Sequence, residues 1–233
     1  MYEILAAHYD SLVEDKEATR AYVKFTLQHS KPSKTLELAC GSGEISLQLA
    51  KAGYVLLATD ISKEMLDVAR KKDPTNLVDY QVMDMTKFNI NKSFDTILCY
   101  CDSINYLQQA NLKDMFSEVH KHLNVGGIFL FDMHTLDRLQ EFEEEFYEAG
   151  VVDGCEYVWS IQSEDYLLYH SFVFYDENGK ASYEHHVQQV FEPEYVKHTL
   201  EMCGFQVEIY TDFDSVGIQA GEKHFFVCRK EQK

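Results

Sequence analysis

Positive charge is scarce in this chain. Its 233 residues carry 21 Lys and Arg against 39 Asp and Glu, a formal net charge of −18. A surface this acidic repels phosphate backbones and anionic membranes. Nucleic acid is therefore set aside as a substrate, and solubility is the plain role of the charge. Proline is scarcer still, at three residues, and no Pro/Ser-rich tract, repeat or low-complexity stretch interrupts the sequence. Nothing marks a linker, so a single domain over residues 1–233 is expected. No apolar run approaches the roughly 20 residues that a membrane span needs. The opening MYEILAAHYDSLVED lacks the basic start and apolar core of a signal peptide. The six cysteines form no CxxC pair and no zinc spacing, and several fall in apolar, strand-like runs. Together these absences point to a reducing cytoplasm. G-x-S-x-G and P-loop patterns are missing too, which removes hydrolase and phosphotransferase readings.

What is present is an alternation of strands and helices. Leu5, Tyr9 and Leu12 share one helical face, and Tyr22, Phe25 and Thr26 continue at 3–4 spacing, so two short helices are expected in residues 1–30. Strands are expected over 35–39, 54–60, 77–83, 94–100 and 128–131, with helices over 44–52 and 62–72 and around Leu112, Met115, Phe116 and Val119. That order implies a parallel sheet covered on both faces. Between about 136 and 191 the pattern changes. Residues 156–161, 166–175 and 182–191 read as strands with no helix between them, and Asn178-Gly179 is a hairpin signal. This is an antiparallel flap inserted into the α/β domain. The acidic run 141–145 reads as a solvated helix face. A helix from Pro193 to Cys203 and strands over 205–210 and 224–229 complete the pattern.

Two motifs carry chemistry. Glu37-Leu-Ala-Cys-Gly41-Ser-Gly43 joins the first strand to a helix, where glycine lets backbone approach a ligand closely. Asp60 ends the second strand, 17 residues past Gly43, where a carboxylate accepts hydrogen bonds from both hydroxyls of a ribose. A dinucleotide fingerprint would place a third glycine where Ser46 stands.

With these residues the chain resembles the class I S-adenosylmethionine-dependent methyltransferases over about residues 35–135. More narrowly it is similar to small bacterial methyltransferases of the YqeM-like type, which share the Tyr9-Asp10 pair, the loop Cys101-Asp-Ser-Ile-Asn-Tyr-Leu107 and a β-hairpin flap. The resemblance implies a Rossmann-like, seven-stranded, mostly parallel sheet whose last strand is antiparallel. It implies S-adenosyl-L-methionine as cofactor and S-adenosyl-L-homocysteine as product. Glu37 is the acidic residue of the first motif. Gly41 and Gly43 line the methionine and ribose portions, with Ala39 and Ser42 in the same loop. Asp60 holds the ribose hydroxyls and Ile61 packs on adenine. Asp84 reads the adenine amino group beside Met85. Tyr9, Met65 and Cys101 complete the cofactor set, and the loop at Cys101 flanks the reactive methyl. Here Glu37 and Ala39 replace the family's usual Asp and Gly, with the charge kept.

The acceptor is expected to be a small molecule, with in-line transfer needing position and exclusion of water more than a dedicated base. Asp102, Asn105, Tyr106 and His134 are the polar candidates at strand ends. On the flap, Tyr183, His185, Val187 and Gln189 share one face and Glu184, His186 and Gln188 the other, so His185 or His186 must look inward. Being adjacent, the two histidines diverge, and Asp132 with His134 lacks a third ligand, so no metal is expected. Two other readings stay open: an NAD(P)-dependent oxidoreductase, disfavoured by Ser46 and by Met83-Asp84-Met85, and a non-catalytic module that retains the fold. Monomer and homodimer are both compatible with the sequence.

Overall fold

The computed structural model describes residues 4–13, 15–88 and 90–231; residues 1–3 and Glu14 of the expected helical segment lie outside the described residues. Helices α1 (Leu5–Val13) and α2 (Lys16–His29) come first. Asp15 separates them by capping α2, its Oδ1 accepting from the amides of Glu17 at 2.8 Å and Ala18 at 3.0 Å.

The α/β run then follows as β1 (Lys34–Leu38), α3 (Glu44–Lys51), β2 (Val55–Asp60), α4 (Lys63–Lys72), β3 (Asp79–Val82) and β4 (Phe94–Cys99). A single 3-10 turn (Ser103–Tyr106), α5 (Gln109–His122) and β5 (Leu123–His134) complete it. Helix α4 starts where Ser62 accepts from the Met65 amide at 3.2 Å, and ends on Arg70, Lys71 and Lys72, cations suited to a helix C-terminus. The short helix α6 (Asp137–Glu141) leads into β6 (Phe146–Val152), β7 (Cys155–Glu164), β8 (Leu167–Tyr175) and β9 (Ala181–Gln189). Helix α7 (Pro193–Met202), β10 (Phe205–Thr211), β11 (Ser215–Val216) and β12 (Lys223–Lys230) close the chain.

The main sheet has the order β11-β10-β12-β5-β4-β1-β2-β3. Strands β1 to β5 are mutually parallel, and β12 inserts antiparallel between β5 and β10. Eight strands stand where seven were expected, because two residues after a turn, Ser215 and Val216, pair back on β10. Period-two alternation divides the core between the two faces. Leu36, Ile97, Phe129 and Phe131 pack on one, and Leu56, Ala58, Leu98, Tyr100 and Leu130 on the other with Tyr22 and Phe25 of α2. Phe131 and Phe226, cross-strand partners, stack 4.6 Å apart.

The second sheet has the order β6-β7-β8-β9, all antiparallel. It corrects three expectations. A fourth strand, β6, joins the flap through the two-residue turn Asp153-Gly154, both at positive φ. Asn178-Gly179 lies within a longer loop, in which Asp176 Oδ1 accepts from the amides of Asn178 and Lys180, each at 2.9 Å. Of the acidic run 141–145, only Glu141 is helical. Helix α1 packs on this sheet, Leu5 against Val152, Phe172 and Phe174.

Gly43 sets how closely α3 approaches α4 and β3. A Cβ there would fall 2.8 Å from Ala69 Cβ and 3.0 Å from the Tyr80 hydroxyl, at a φ of +76°. Gly41 has φ +54° with nothing within 4 Å of its missing Cβ. Gly43→Ala is expected to lower the unfolding free energy by about 2–4 kcal/mol, from left-handed strain plus overpacking. Gly41→Ala should lower it by only about 1 kcal/mol, from the strain alone. Urea unfolding of both variants checks the ranking.

Candidate active site

Strand order reverses between β1 and β4, and the C-terminal ends of β1, β2, β4 and β5 meet there, where open α/β sheets bind ligands. A cavity of about 470 Å³ occupies this place. The chain is bent sharply around it: Ala39, Cys101 and Asp102 are non-glycine residues with φ of 54°, 57° and 49°.

At one end the wall is formed by Glu37, Ala39, Gly41, Ser42, Asp60, Ile61, Met65 and Met85. Asp60 is held by two amides, Gly41 N donating to Oδ2 and Ser62 N to Oδ1, each at 2.8 Å. This fixes the carboxylate against the loop, although burial raises its proton affinity. Glu37 is 2 % exposed and accepts from Ser46 Oγ at 2.5 Å. The residue that replaces a third glycine is thus the partner of the first motif's acid. Burial pushes Glu37 up to about 7. Ser42 donates to Asp10 of α1 at 2.6 Å, and Lys72 bridges Asp10 at 2.7 Å, so the N-terminal helix is clasped to the glycine loop. Tyr9 also lines the cavity. Gly43 and Asp84, both expected in the cofactor site, are not among the residues that line the cavity. Asp84 Oδ1 accepts from the amide and hydroxyl of Thr86, at 2.8 and 2.7 Å.

At the other end the flap forms the roof, with Trp159, Ile161, His170, Phe172, His186 and Gln188 facing Cys101, Asp102, Tyr106, His134 and Lys223. Lys223 Nζ lies 2.6 Å from Asp102 Oδ1, 3.1 Å from Asp132 Oδ2 and 3.0 Å from the Tyr22 hydroxyl. Tyr22 and the Asp102 amide both donate to the same Asp132 oxygen, at 3.0 Å each. Burial disfavours ionisation of Asp102, but Lys223 and then His134 outweigh it and hold the carboxyl well below the usual range. Burial likewise opposes the Lys223 ammonium, and Asp102 and Asp132 raise it well above the usual value. Asn105 is a strut: its Oδ1 accepts from the His134 amide at 3.0 Å and its Nδ2 donates to the Gln189 carbonyl at 2.7 Å.

Comparison with known proteins gives these features a family. A model described as "Methyltransferase domain" matches residues 35–127. The YqeM protein of Bacillus subtilis (strain 168), whose name assigns it to the methyltransferases only provisionally, is 32 % identical over 100 % of this chain and 98 % of its own. A crystal structure of an S-adenosylmethionine-dependent methyltransferase from Clostridium acetobutylicum ATCC 824 is 25 % identical, covers 99 % of both chains and superposes with a TM-score of 0.82.

The chain belongs to the S-adenosylmethionine-dependent methyltransferases.

Several features of the methyltransferase's site were not foreseen. The two flap histidines divide as strand parity requires: His186 is 4 % exposed and lines the cavity, whereas His185 is on the outer face, its Nδ1 3.0 Å from Ser171 Oγ. Glu184 was placed on the same strand face as His186 but given no task. Its Oε1 is 2.8 Å from His186 Nε2, while its Oε2 accepts from the amides of Ile4 and Leu5 at the start of α1. Burial would raise its carboxyl, but His186 and then the two backbone amides bring it down to about 2. Lys223, Tyr22, His170 and Trp159 were not singled out, and Asp132 was weighed only as a metal ligand. The one available signal was Lys223 flanking an apolar strand.

Two outcomes follow. Folded Glu37 keeps its proton up to about 7, whereas the unfolded chain releases it near 4.5. The folded state therefore binds more protons in that window, and stability falls as pH rises through it. Glu37→Gln removes this contribution, so the wild-type-minus-variant difference in unfolding free energy should decline between those two pH values and be flat outside them. Lys223→Met leaves Asp102 and Asp132 buried without their cation. It should cost on the order of 3–5 kcal/mol in urea unfolding, with Tyr22→Phe costing about 1 kcal/mol.

Proposed function

We propose that this enzyme methylates a small molecule held entirely inside the cavity, as one catalytic domain in which α1, α2 and the flap close over the sheet. The observation that carries the reading is the continuity of the cavity. One wall of it is the glycine loop and Asp60, and the other is the roof of flap side chains. A volume of about 470 Å³ suits small ligands and not a polymer.

The residues present fit the cofactor. Gly41 leaves open space where a side chain would stand, and Asp60 retains lone pairs for ribose hydroxyls beyond its two amide bonds. Ile61 is 54 % exposed, an apolar platform beside Met85 that suits adenine. Asp84 Oδ2 has no hydrogen bond among the described residues and is the proposed contact for the adenine amino group. Ala39, Ser42, Gly43, Met65 and Cys101 shape the loop and the floor, and Tyr9 closes it from α1.

S-adenosylmethionine supplies a methyl group already activated by a positively charged sulfur. The protein's tasks are to hold, align and dry the site. Asp102 and Asp132 share the single cation Lys223, leaving a surplus negative charge beside the cavity that suits a sulfonium. The apolar roof of Trp159, Ile161 and Phe172 excludes water. Tyr106, His134 and His186 are the polar side chains available to orient the acceptor, with Asn105 positioning His134 through its backbone.

A cytoplasmic setting is supported by the free state of all six cysteines, and no described helix is long and apolar enough to cross a membrane. A net charge of −18 disfavours a nucleic-acid acceptor. We place the enzyme as a monomer or homodimer.

Calorimetric titration with S-adenosylhomocysteine, NAD and NADP tests the assignment. S-adenosylhomocysteine alone should bind, and Asp60→Ala should weaken it roughly ten- to hundredfold, the worth of hydrogen bonds to a charged group. Binding of NAD in its place would transfer the chain to the oxidoreductases, and binding of none of the three would leave a non-catalytic module.

A further inference from the structure

One side chain fixes the chemistry of the roof. Gln188 Nε2 donates to Asp102 Oδ2 at 2.6 Å. Asp102 is ionised and therefore only accepts, so the amide nitrogen must face it and the amide oxygen must face the other way. That oxygen, Oε1, lies 3.1 Å from His134 Nε2 and 3.0 Å from His170 Nε2. An amide oxygen also only accepts, so both imidazoles must carry their proton on Nε2. His134 Nε2 is also 3.4 Å from Asp102 Oδ2, a second acceptor with the same demand.

The consequence falls on the opposite ring nitrogens. His170 Nδ1 has no hydrogen-bond partner among the described residues, and His134 Nδ1 is buried with none. Burial pushes His170 down to about 4, so it is uncharged at neutral pH. Trp159 lies over both His170 and Phe172, with centroids 6.4 and 5.4 Å away, and its buried indole N–H also lacks a partner. Buried polar groups are normally satisfied, and orphans grouped on one cavity wall point to a ligand.

The cations in this end of the cavity are already engaged by carboxylates. Lys223 and Arg138 are the cations in its wall. Lys223 is held by Asp102 and Asp132, and Arg138 by Glu141, with Glu222 3.7 Å away. Asp102 is taken by Lys223 and Gln188, and His186 by Glu184. An anionic group entering here would lose its hydration without meeting a free cation, and a cationic one would find both Asp102 oxygens taken and Asp132 fully buried behind Lys223.

From this we infer that Gln188 is a tautomer clamp that makes His170 Nδ1 a hydrogen-bond acceptor, and that the methyl acceptor enters as an uncharged N–H or O–H donor, a hydroxyl or a free amine on an apolar ring-bearing molecule, also offering an oxygen to Trp159. Gln188 is a positioning residue, since it acts through His170. The inference rests on the roof being the acceptor side, but its test requires no methyl transfer and therefore fails or succeeds apart from that reading.

The experiment is two-bond ¹H–¹⁵N correlation of the histidine rings in ¹⁵N-labelled full-length protein with S-adenosylhomocysteine. At neutral pH His170 should give the pattern of a neutral ring protonated on Nε2. Phenol and aniline should shift its Nδ1 resonance saturably. Benzoate and benzylammonium should require about tenfold or more higher concentration, equivalent to 1.4 kcal/mol. In Gln188→Leu the His170 tautomers should mix and the phenol response should weaken, which mere packing of the ring would not produce. An Nδ1–H or cationic His170, no response to phenol or aniline, or equal binding of the charged probes would each overturn the inference.

Discussion

Lys223 and the two carboxylates it holds join parts of the chain that lie far apart in sequence. The ammonium comes from β12, Asp132 from β5, Asp102 from the loop after β4 and the Tyr22 hydroxyl from α2. Through Asp102 and Gln188 the same group reaches β9 of the flap. Coulomb attraction is large here because water is largely excluded, and desolvation is costly for the same reason. A buried cation between two anions is a poor way to gain stability compared with apolar packing. Its use is in orientation: it anchors Asp102, the residue at the bend after β4, in its left-handed backbone conformation.

The same logic governs the glycine loop. Left-handed residues at Ala39, Gly41 and Gly43 turn the chain off β1 and aim it into α3. Asp60 holds that turn from the neighbouring strand, and Ser46 and Glu37 lock the start of α3 from below. The glycine-loop end of the cavity is therefore set by the main sheet, whereas its roof is set by a separate sheet. The two meet where α1 is clasped, at one end by Lys72 and Ser42 and at the other by Glu184.

How much of this was legible in the sequence follows from how local each feature is. The β1–α3 turn, Asp60 and the Ser62 cap are set by neighbours within a few residues, and their spacing gave them away. The inward turn of one flap histidine was legible from strand parity, and which of the two it is was not, since register decides it. Strand β6 escaped because all of its residues but Gly150 and Val152 are exposed, which erases the alternation that reveals a strand. Its turn, Asp153-Gly154, carried a signal that went unused. The Lys223 cluster was the least legible: Lys223 and Tyr22 are separated by 201 positions, and a lysine flanking an apolar strand does not show by itself which partners will hold it.

The flap also bears on how this enzyme could change its chemistry over evolutionary time. Trp159 and Ile161 on β7, His170 and Phe172 on β8, and His186 and Gln188 on β9 face the cavity at every second position. The residues between them look away, and none of the six belongs to the main sheet. A lineage could therefore exchange what the roof recognises, two side chains per strand, while the cofactor cradle below it was inherited intact. On the proposed division of the cavity, diversification of substrate and retention of the methyl donor would fall to different pieces of the polypeptide.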